Sequence, residues 1–234
     1  MIKSVFVGLN LPVENYDKLK EVGANHLIVW MDSITPTKWR MLQGLSLSLG
    51  ISFSAFEKGS CPADPKSWLR LKKYLKKALK FSPKEIWLDH FRFDGHWEFS
   101  SVAGTAWRGI KIPEKHMECR WCKGKNRVKV IGKLARSLMQ EVRNKVKISY
   151  FAVPFKKDVE PDLVGSLGQD HEDLGKIFDM VSPMLYHRMI GKPASYISEY
   201  VSYISKFGSS VIPIIQIKDM PDDLPDNLSK EEFV

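Results

Sequence analysis

Residues 51–91 read ISFSAFEKGSCPADPKSWLRLKKYLKKALKFSPKEIWLDHF, an apolar run, a longer amphipathic segment and a second apolar run. Segment 65–80 places its apolar residues on one side of a helix and its lysines on the other. Asp64 can cap the free amides of this helix, and Pro65 suits its first turn. The order strand, helix, strand is the repeat of a parallel sheet covered by helices.

The same alternation extends over the rest of the chain. Strands are predicted at 4–9, 26–31, 51–56, 85–91, 146–153, 180–186 and 211–217. Helices are predicted at 13–22, 37–47, 65–80, 129–145, 172–177 and 194–206. The strands are nearly continuous in apolar residues, which is typical of strands buried on both faces. An open two-layer sheet would also give this pattern, but seven consecutive units favour a (β/α)8 barrel of the TIM type.

The predicted barrel has seven readable units. After the seventh strand, Ser229 followed by Glu231 and Glu232 resembles the start of a helix, and an eighth strand has no residues left. We therefore expect the eighth unit to be missing or truncated, or the barrel to close in a non-standard way. The prediction is one barrel domain over residues 1–234, with a long loop insertion at about 96–127 after the fourth strand.

Composition and charge narrow the class of protein. The apolar fraction is 44% and the charged fraction 27%, both ordinary for a globular protein, and the apolar runs are much shorter than a span of roughly 20 residues. With no signal-peptide pattern at the start, we expect a cytoplasmic protein without a membrane partner. The net charge is +9, but the densest basic run, 72–80, follows helical spacing, which favours a solvated helix face over a nucleic-acid site. No glycine fingerprint of a nucleotide cofactor appears.

In a (β/α) barrel, reactive side chains lie where strands end. The strand ends give these candidates: Asp32, Glu57, Asp89, Arg92, Asp94, Tyr186, His187 and Gln216.

Asp89 is the strongest candidate for a catalytic carboxylate. Strand alternation puts it on the same side as Trp87, the predicted barrel interior. A carboxylate there needs a partner, and Arg92 is close enough to supply the compensating charge. The alternative is a purely structural ion pair of Asp89 and Arg92. Asp32 and Glu57 are weaker candidates, because acids after strands are also common helix caps.

Several segments resemble a group of glycoside hydrolases. Residues 87–93, WLDHFRF, resemble their strand-four segment, an apolar run followed by Leu-Asp-Tyr-Ile-Arg-Tyr. Residues 169–187, QDHEDLGKIFDMVSPMLYH, resemble their strand-six segment, and 212–216, IPIIQ, resembles a strand seven that ends in Gln. Several members also carry a C-x-x-C pair after strand four. The likeness extends from about residue 25 to residue 232.

The resemblance implies a sugar-binding cleft on a barrel, with Asp89 in the place of the acid assigned to catalysis. Glycoside hydrolysis needs two carboxyl groups. The fifth strand ends without an acid, so the second would be Glu57 or Asp32, or a loop residue such as Asp94 or Glu98.

Other residues would bind the carbohydrate substrate: Arg92, Trp97, Tyr186, His187 and Gln216. Trp97 could stack on a sugar ring or only anchor its loop. The missing acid leaves a second hypothesis open, a non-catalytic carbohydrate-binding or incomplete barrel protein. A metal-dependent hydrolase is disfavoured, since the first strand has no H-x-H.

Cys119 and Cys122 form a C-x-x-C pair, with His116 nearby and Cys61 in the loop after the neighbouring third strand. Three cysteines and one histidine can hold a tetrahedral zinc. Four protein ligands would close the site, so the zinc would stabilise the loop rather than take part in catalysis. Unligated thiols and redox chemistry are the alternatives. No cofactor is predicted for catalysis, and the oligomeric state stays open.

Overall fold

The computed structural model describes residues 4–7, 16–21, 23–56, 59–98, 109–111, 114–187, 190 and 192–215. The strands are β1 (Ser4–Val7), β2 (His26–Trp30), β3 (Ser48–Ser54), β4 (Glu85–Asp89), β5 (His96–Glu98), β6 (Gly109–Lys111), β7 (Lys147–Ala152), β8 (Met180–Leu185), β9 (Ser210–Val211) and β10 (Ile214–Ile215). The α-helices are α1 (Tyr16–Glu21), α2 (Pro36–Gln43), α3 (Pro65–Leu79), α4 (Glu114–Met117), α5 (Arg127–Val142), α6 (Pro161–Leu167), α7 (His171–Leu174) and α8 (Ser195–Ile204). Short 3-10 helices span Met31–Ser33 and Ser205–Phe207.

The main sheet has the order β1-β2-β3-β4-β7-β8-β10, and β9 also pairs with β8. Every neighbouring pair in it is parallel, and a helix lies between each strand of this sheet and the next in the chain except between β9 and β10. This arrangement confirms the predicted (β/α)-barrel type of fold. Over the residues that the structure describes, β1 does not pair with β10, so the barrel is not closed there.

The seventh predicted strand needs a correction. Residues 211–217 do not form one strand; β9 and β10 are separated at Ile212 and Pro213, and both pair with β8. Proline has no amide to donate, so a continuous ladder cannot pass through position 213. Residues 216 and 217, like the predicted helix start at Ser229, lie outside the described residues.

Some short elements were not predicted. The insertion after β4 contains an antiparallel hairpin of β5 and β6, followed by α4. Helix α6 follows β7 and begins with Pro161 in its first turn. The longest predicted helices agree with the structure: α3 begins after Asp64, whose side chain accepts a hydrogen bond from the Lys66 amide at 2.9 Å. In the described part of the chain, no helix has the length and apolarity needed to cross a bilayer.

The two faces of the sheet bury different groups. The larger cluster lies between the strands and the helices and includes Ile86 and Leu88 of β4. The smaller cluster fills the inner face and contains Ile28, Trp87, Phe151 and Met180. The residues of β4 that share the inner face are therefore Glu85, Trp87 and Asp89.

A contact between His26 and Glu85 lies at the amino end of these inner positions. Nε2 of His26 lies 3.1 Å from a carboxylate oxygen of Glu85, and the Trp87 indole donates to the same carboxylate at 3.2 Å. Burial acts to raise the pKa of Glu85, but the contacts with His26 and Trp87 and the charge of Lys147 together outweigh it, so the pKa is lowered. Trp87, fully buried, thus fills the interior between this pair and Asp89.

Candidate functional site

Asp89 is the last residue of β4, at the carboxyl end of the parallel strands. Its side chain is 22% exposed. One carboxylate oxygen accepts a hydrogen bond from the His90 amide at 2.7 Å, and the other lies 3.1 Å from Nδ1 of the His90 ring. The carboxylate is therefore oriented by its neighbour and still reaches solvent.

His90 has a left-handed backbone, with φ at 48°. This conformation is unfavourable for a residue with a Cβ and tends to persist where surrounding contacts enforce it. Nδ1 of His90 lies 3.5 Å from the Ser54 hydroxyl at the end of β3, and the Ala55 amide donates to the Asp89 carbonyl at 2.7 Å. The ends of β3 and β4 are thus joined around Asp89.

Arg92 is buried beside this carboxylate. Its guanidinium donates to the Phe93 carbonyl at 3.1 Å. Burial lowers the Arg92 pKa, and the negative charges of Asp89 and Asp94 act in the opposite direction. Arg92 therefore lies within electrostatic range of two carboxylates.

Tyr186 and His187 follow β8. Burial, and then the charge of Asp89, raise the pKa of Tyr186. The phenol therefore remains protonated at neutral pH and can donate a hydrogen bond close to Asp89. His187 is buried, and its carbonyl accepts from the Lys192 amide at 2.8 Å.

The other predicted acids differ in position. Asp32 is exposed in the 3-10 helix after β2 and lines a cleft of about 400 Å³ together with side chains of α3. The other residues that line this cleft are Arg70, Lys73, Tyr74 and Lys77. Asp94 accepts a hydrogen bond from the Gly59 amide at 2.5 Å. Asp32 is thus associated with the helix layer, whereas Asp94 belongs with Arg92.

Three predicted site residues fall wholly or partly outside the described part of the chain. Glu57 and Gln216 lie outside the described residues. Trp97 belongs to β5, where the backbone is described and the side chain is not.

Sequence reasoning missed Ser54 and His90 as neighbours of the Asp89 carboxylate. His90 is not among the strand-end candidates predicted above, yet its ring contacts Asp89. Its adjacency to Asp89 was the available signal. The position of Ser54, two residues from the predicted end of its strand, gave none.

The four predicted zinc ligands come together. Cys61, His116, Cys119 and Cys122 each offer one ligand atom, and these atoms all lie within 4.8 Å of one another. Nδ1 of His116 is 3.7 Å from Sγ of Cys122. In a tetrahedral zinc site with bonds of 2.0 to 2.3 Å, neighbouring ligand atoms are about 3.5 to 3.8 Å apart. The cluster therefore fits a metal ion of this size.

Burial affects these thiols unequally. It raises the pKa of Cys61 to about 12 and also raises that of Cys122. Burial opposes ionisation of Cys119 too, but hydrogen bonds from the backbone of Trp121 and Cys122 outweigh it and lower the pKa of Cys119. A metal bound here would displace thiol protons, so its affinity would fall in acid.

The parallel order of the strands defines a TIM-barrel type of fold, and solved structures share it. The spore cortex-lytic enzyme SleL of Bacillus cereus is 14% identical, with a TM-score of 0.56 over 91% of this chain and 50% of that chain. A chitinase of Chromobacterium violaceum is 13% identical, with a TM-score of 0.56 over 91% of this chain and 68% of that one. Aspergillus fumigatus Ega3, solved in complex with galactosamine, is 9% identical, with a TM-score of 0.57 over 99% and 84%.

At these identities the likeness establishes the fold. This chain spans about half the length of the SleL structures that it matches. No family model and no curated protein sequence matches it.

Proposed function

We propose that this protein is a glycoside hydrolase that cleaves O-glycosidic bonds of a carbohydrate with a pair of carboxyl groups. The observation that carries the proposal is the position of Asp89 on the inner face, partly exposed, at the carboxyl end of β4. (β/α)-barrel enzymes have their reactive groups at this end of the strands. The neighbours that share the fold and act on polysaccharides, such as the chitinase, support the substrate class. The whole chain would act as one barrel domain.

Substrate would be positioned by groups around Asp89. The Arg92 guanidinium and the protonated Tyr186 phenol are donors for sugar hydroxyls. His187 and Gln216, after β8 and near β10 in the chain, would extend this polar lining, and the Trp97 ring would stack on a sugar face.

The second carboxyl group is proposed to come from Glu57 or Asp94. Asp32 is the weaker of the predicted partners, because it lines a cleft with basic side chains of α3. A separation from Asp89 of about 5 Å would give retention of configuration, and one of about 6.5 to 9.5 Å would give inversion.

Hydrolysis of a panel of aryl glycosides and oligosaccharides tests the proposal. Asp89→Asn keeps the shape of the side chain and removes its charge, so kcat is expected to fall by at least about 100-fold. Asp173→Asn is the matched control, since Asp173 is a half-exposed acid on α7 that pairs with Arg136. Glu57→Gln, Asp94→Asn and Asp32→Asn, assayed beside them, would identify the partner.

If Asp89→Asn lowers the melting temperature but leaves kcat unchanged, Asp89 is a structural partner of Arg92 and the catalytic proposal fails. The second candidate function is carbohydrate binding without hydrolysis. The open edges of β1 and β10 within the described residues favour it, because an incomplete barrel could lack part of the catalytic machinery. A folded wild-type protein that binds oligosaccharides in calorimetry and cleaves none of them would establish this alternative.

We also propose that Cys61, His116, Cys119 and Cys122 hold a structural zinc. The support is their mutual approach within 4.8 Å, although they belong to two segments that are far apart in the sequence. Four protein ligands leave no open position for substrate or water, so the metal would join the loops and take no part in the chemistry.

Metal analysis of the purified protein is the test of this site, with one zinc per chain expected. Cys122→Ser should lose the metal and lower the melting temperature, because bound metal stabilises the folded state. Glu118→Gln is the matched control, an exposed residue of the same segment that pairs with Lys123. A zinc-free protein whose melting temperature is the same with added zinc and with a chelator would rule the site out.

A further inference from the structure

We infer that the metal cluster fixes the position of the loop that carries Arg92 and Asp94 beside Asp89, and that Phe93 makes the main contact between the cluster and this loop. The inference rests on the proposed zinc site and deepens the proposed function, since it links that site to the groups around the candidate carboxylate.

The Phe93 side chain is the first part of the connection. It is fully buried. Its ring lies edge-on to the ring of His116, with centroids 5.9 Å apart and planes at 82°. The Arg127 guanidinium lies 4.9 Å from the centre of the same ring. One ligand of the cluster therefore packs directly against Phe93, and aromatic contacts of this geometry are specific in orientation.

The Phe93 backbone is the second part. Its amide donates to the Leu167 carbonyl at 2.9 Å, and its carbonyl accepts from the Arg92 guanidinium at 3.1 Å. A displacement of the Phe93 ring would therefore move the acceptor that orients Arg92. Arg92 is within electrostatic range of both Asp89 and Asp94. A displacement of Phe93 would therefore move the Arg92 charge relative to the Asp89 carboxylate.

The loop between β3 and α3 gives an independent connection. The Gly59 amide donates to Asp94 at 2.5 Å, and Cys61 follows two residues later. A metal that held Cys61 together with His116 would thus hold the Arg92–Asp94 segment at two points, the Phe93 ring and the Asp94 carboxylate. Without the metal, the Gly59–Asp94 hydrogen bond would still join the loop after β3 to Asp94, but a hydrogen bond at an exposed position opens readily.

Hydrogen exchange on the full chain, with zinc bound and after chelation, tests the connection without any measurement of hydrolysis. Metal removal is expected to speed exchange over residues 91–94 by at least about tenfold. Exchange over residues 148–152 of β7 should stay unchanged, because that strand pairs with β4 and β8 on both sides.

Phe93→Leu identifies the residue responsible. It keeps an apolar side chain and removes the edge of the ring that meets His116. The variant is expected to retain one zinc per chain, while exchange over 91–94 responds to chelation less than in the wild type, because only the connection through Cys61 and Asp94 remains. Phe53→Leu is the matched control, since Phe53 is an equally buried phenylalanine that stacks on Tyr74 instead; its response should equal that of the wild type.

Three results would overturn the inference. The first is faster exchange near Cys119 and Cys122 on chelation, with no change at 91–94. The second is a Phe93→Leu variant in which chelation changes exchange over 91–94 as much as it does in the wild type. In both cases the zinc proposal survives. The third is a wild-type protein that binds no zinc, in which case both the site and the connection fail. None of these results depends on whether the protein hydrolyses a glycoside.

Discussion

Gly50 of β3 is expected to tolerate no side chain. A Cβ at this position would lie 2.9 Å from Nε1 and 3.1 Å from Cδ1 of Trp87. The Trp87 ring is fully buried, with the His26 ring at 6.0 Å and the Phe151 ring at 5.9 Å between centroids, so it has little room to move away. The φ angle of Gly50 is outside the left-handed region, so alanine fits the backbone and the clash is the dominant effect. Gly50→Ala should therefore cost about 1 to 3 kcal/mol of unfolding free energy, the range for an overpacked core.

Urea unfolding followed by far-UV circular dichroism measures this cost. The matched control is Gly165→Ala in α6, where a new Cβ would meet no atom within 4 Å. Alanine in a helix is more favourable than glycine by about 0.5 to 1 kcal/mol, so the control should be more stable than the wild type. The same substitution is thus expected to act with opposite signs at the two sites.

A Gly50→Ala protein as stable as the wild type would show that the Trp87 ring does not lie against β3, and the assignment of the barrel interior would be wrong. A double-mutant cycle with Trp87→Phe locates the cause. If the clash is with the indole, the cost of Gly50→Ala should shrink by at least about 1 kcal/mol in the Trp87→Phe background.

Two further predictions concern stability. His171 is buried, its ring contacts the Tyr150 hydroxyl at 3.1 Å and the Val153 carbonyl at 2.9 Å, and burial lowers its pKa to about 4. In the unfolded chain the histidine has a pKa near 6.5 and takes up a proton at a higher pH than in the folded protein. The free energy of unfolding should therefore fall by up to about 3 kcal/mol as pH drops from 6.5 to 4. When unfolding is measured across that range, His171→Gln should show a smaller fall than the wild type. Ser46 is exposed and has a left-handed backbone, with φ at 55°. Because glycine adopts this conformation more easily, Ser46→Gly should raise the free energy of unfolding by up to about 1 kcal/mol. In the control, Ser202→Gly inside α8, the low helix propensity of glycine should lower it by about 0.5 kcal/mol.

The order of strands and long helices could be predicted because each is specified by its own residues. The helix at 65–80 has a cap, a first-turn proline and a one-sided apolar pattern, and the structure gives Pro65–Leu79. The strand predicted at 211–217 was less accurate, because its apolar run continues through Pro213. Only the pairing with β8 shows where the strand is interrupted. The hairpin of β5 and β6 has three-residue strands, too short for a periodic pattern.

Contacts between side chains also differ in how far the sequence predicts them. The approach of Cys61 to the C-x-x-C pair was predictable, because the loops after neighbouring parallel strands lie at the same edge of the sheet. The contact of His171 with Tyr150 was not, because the two residues are 21 positions apart and no spacing rule connects them. Likewise, nothing in the sequence indicates that the Ser54 hydroxyl approaches the His90 ring, which depends on the register of β3 against β4.

The register of β4 also determines what Asp89 can do. Its three inner positions hold an acid paired with His26, an indole that fills the interior, and an acid that reaches solvent. Because Trp87 occupies the space below it, the carboxylate at 89 is the first inward group on this strand with access to the rim. A shift by one residue would turn Ile86 and Leu88 inward and place all three of these groups against the helices. The alternation of side chains along the five residues of β4 therefore determines both the apolar contacts of Ile86 and Leu88 with the helices and the exposed position of the Asp89 carboxylate.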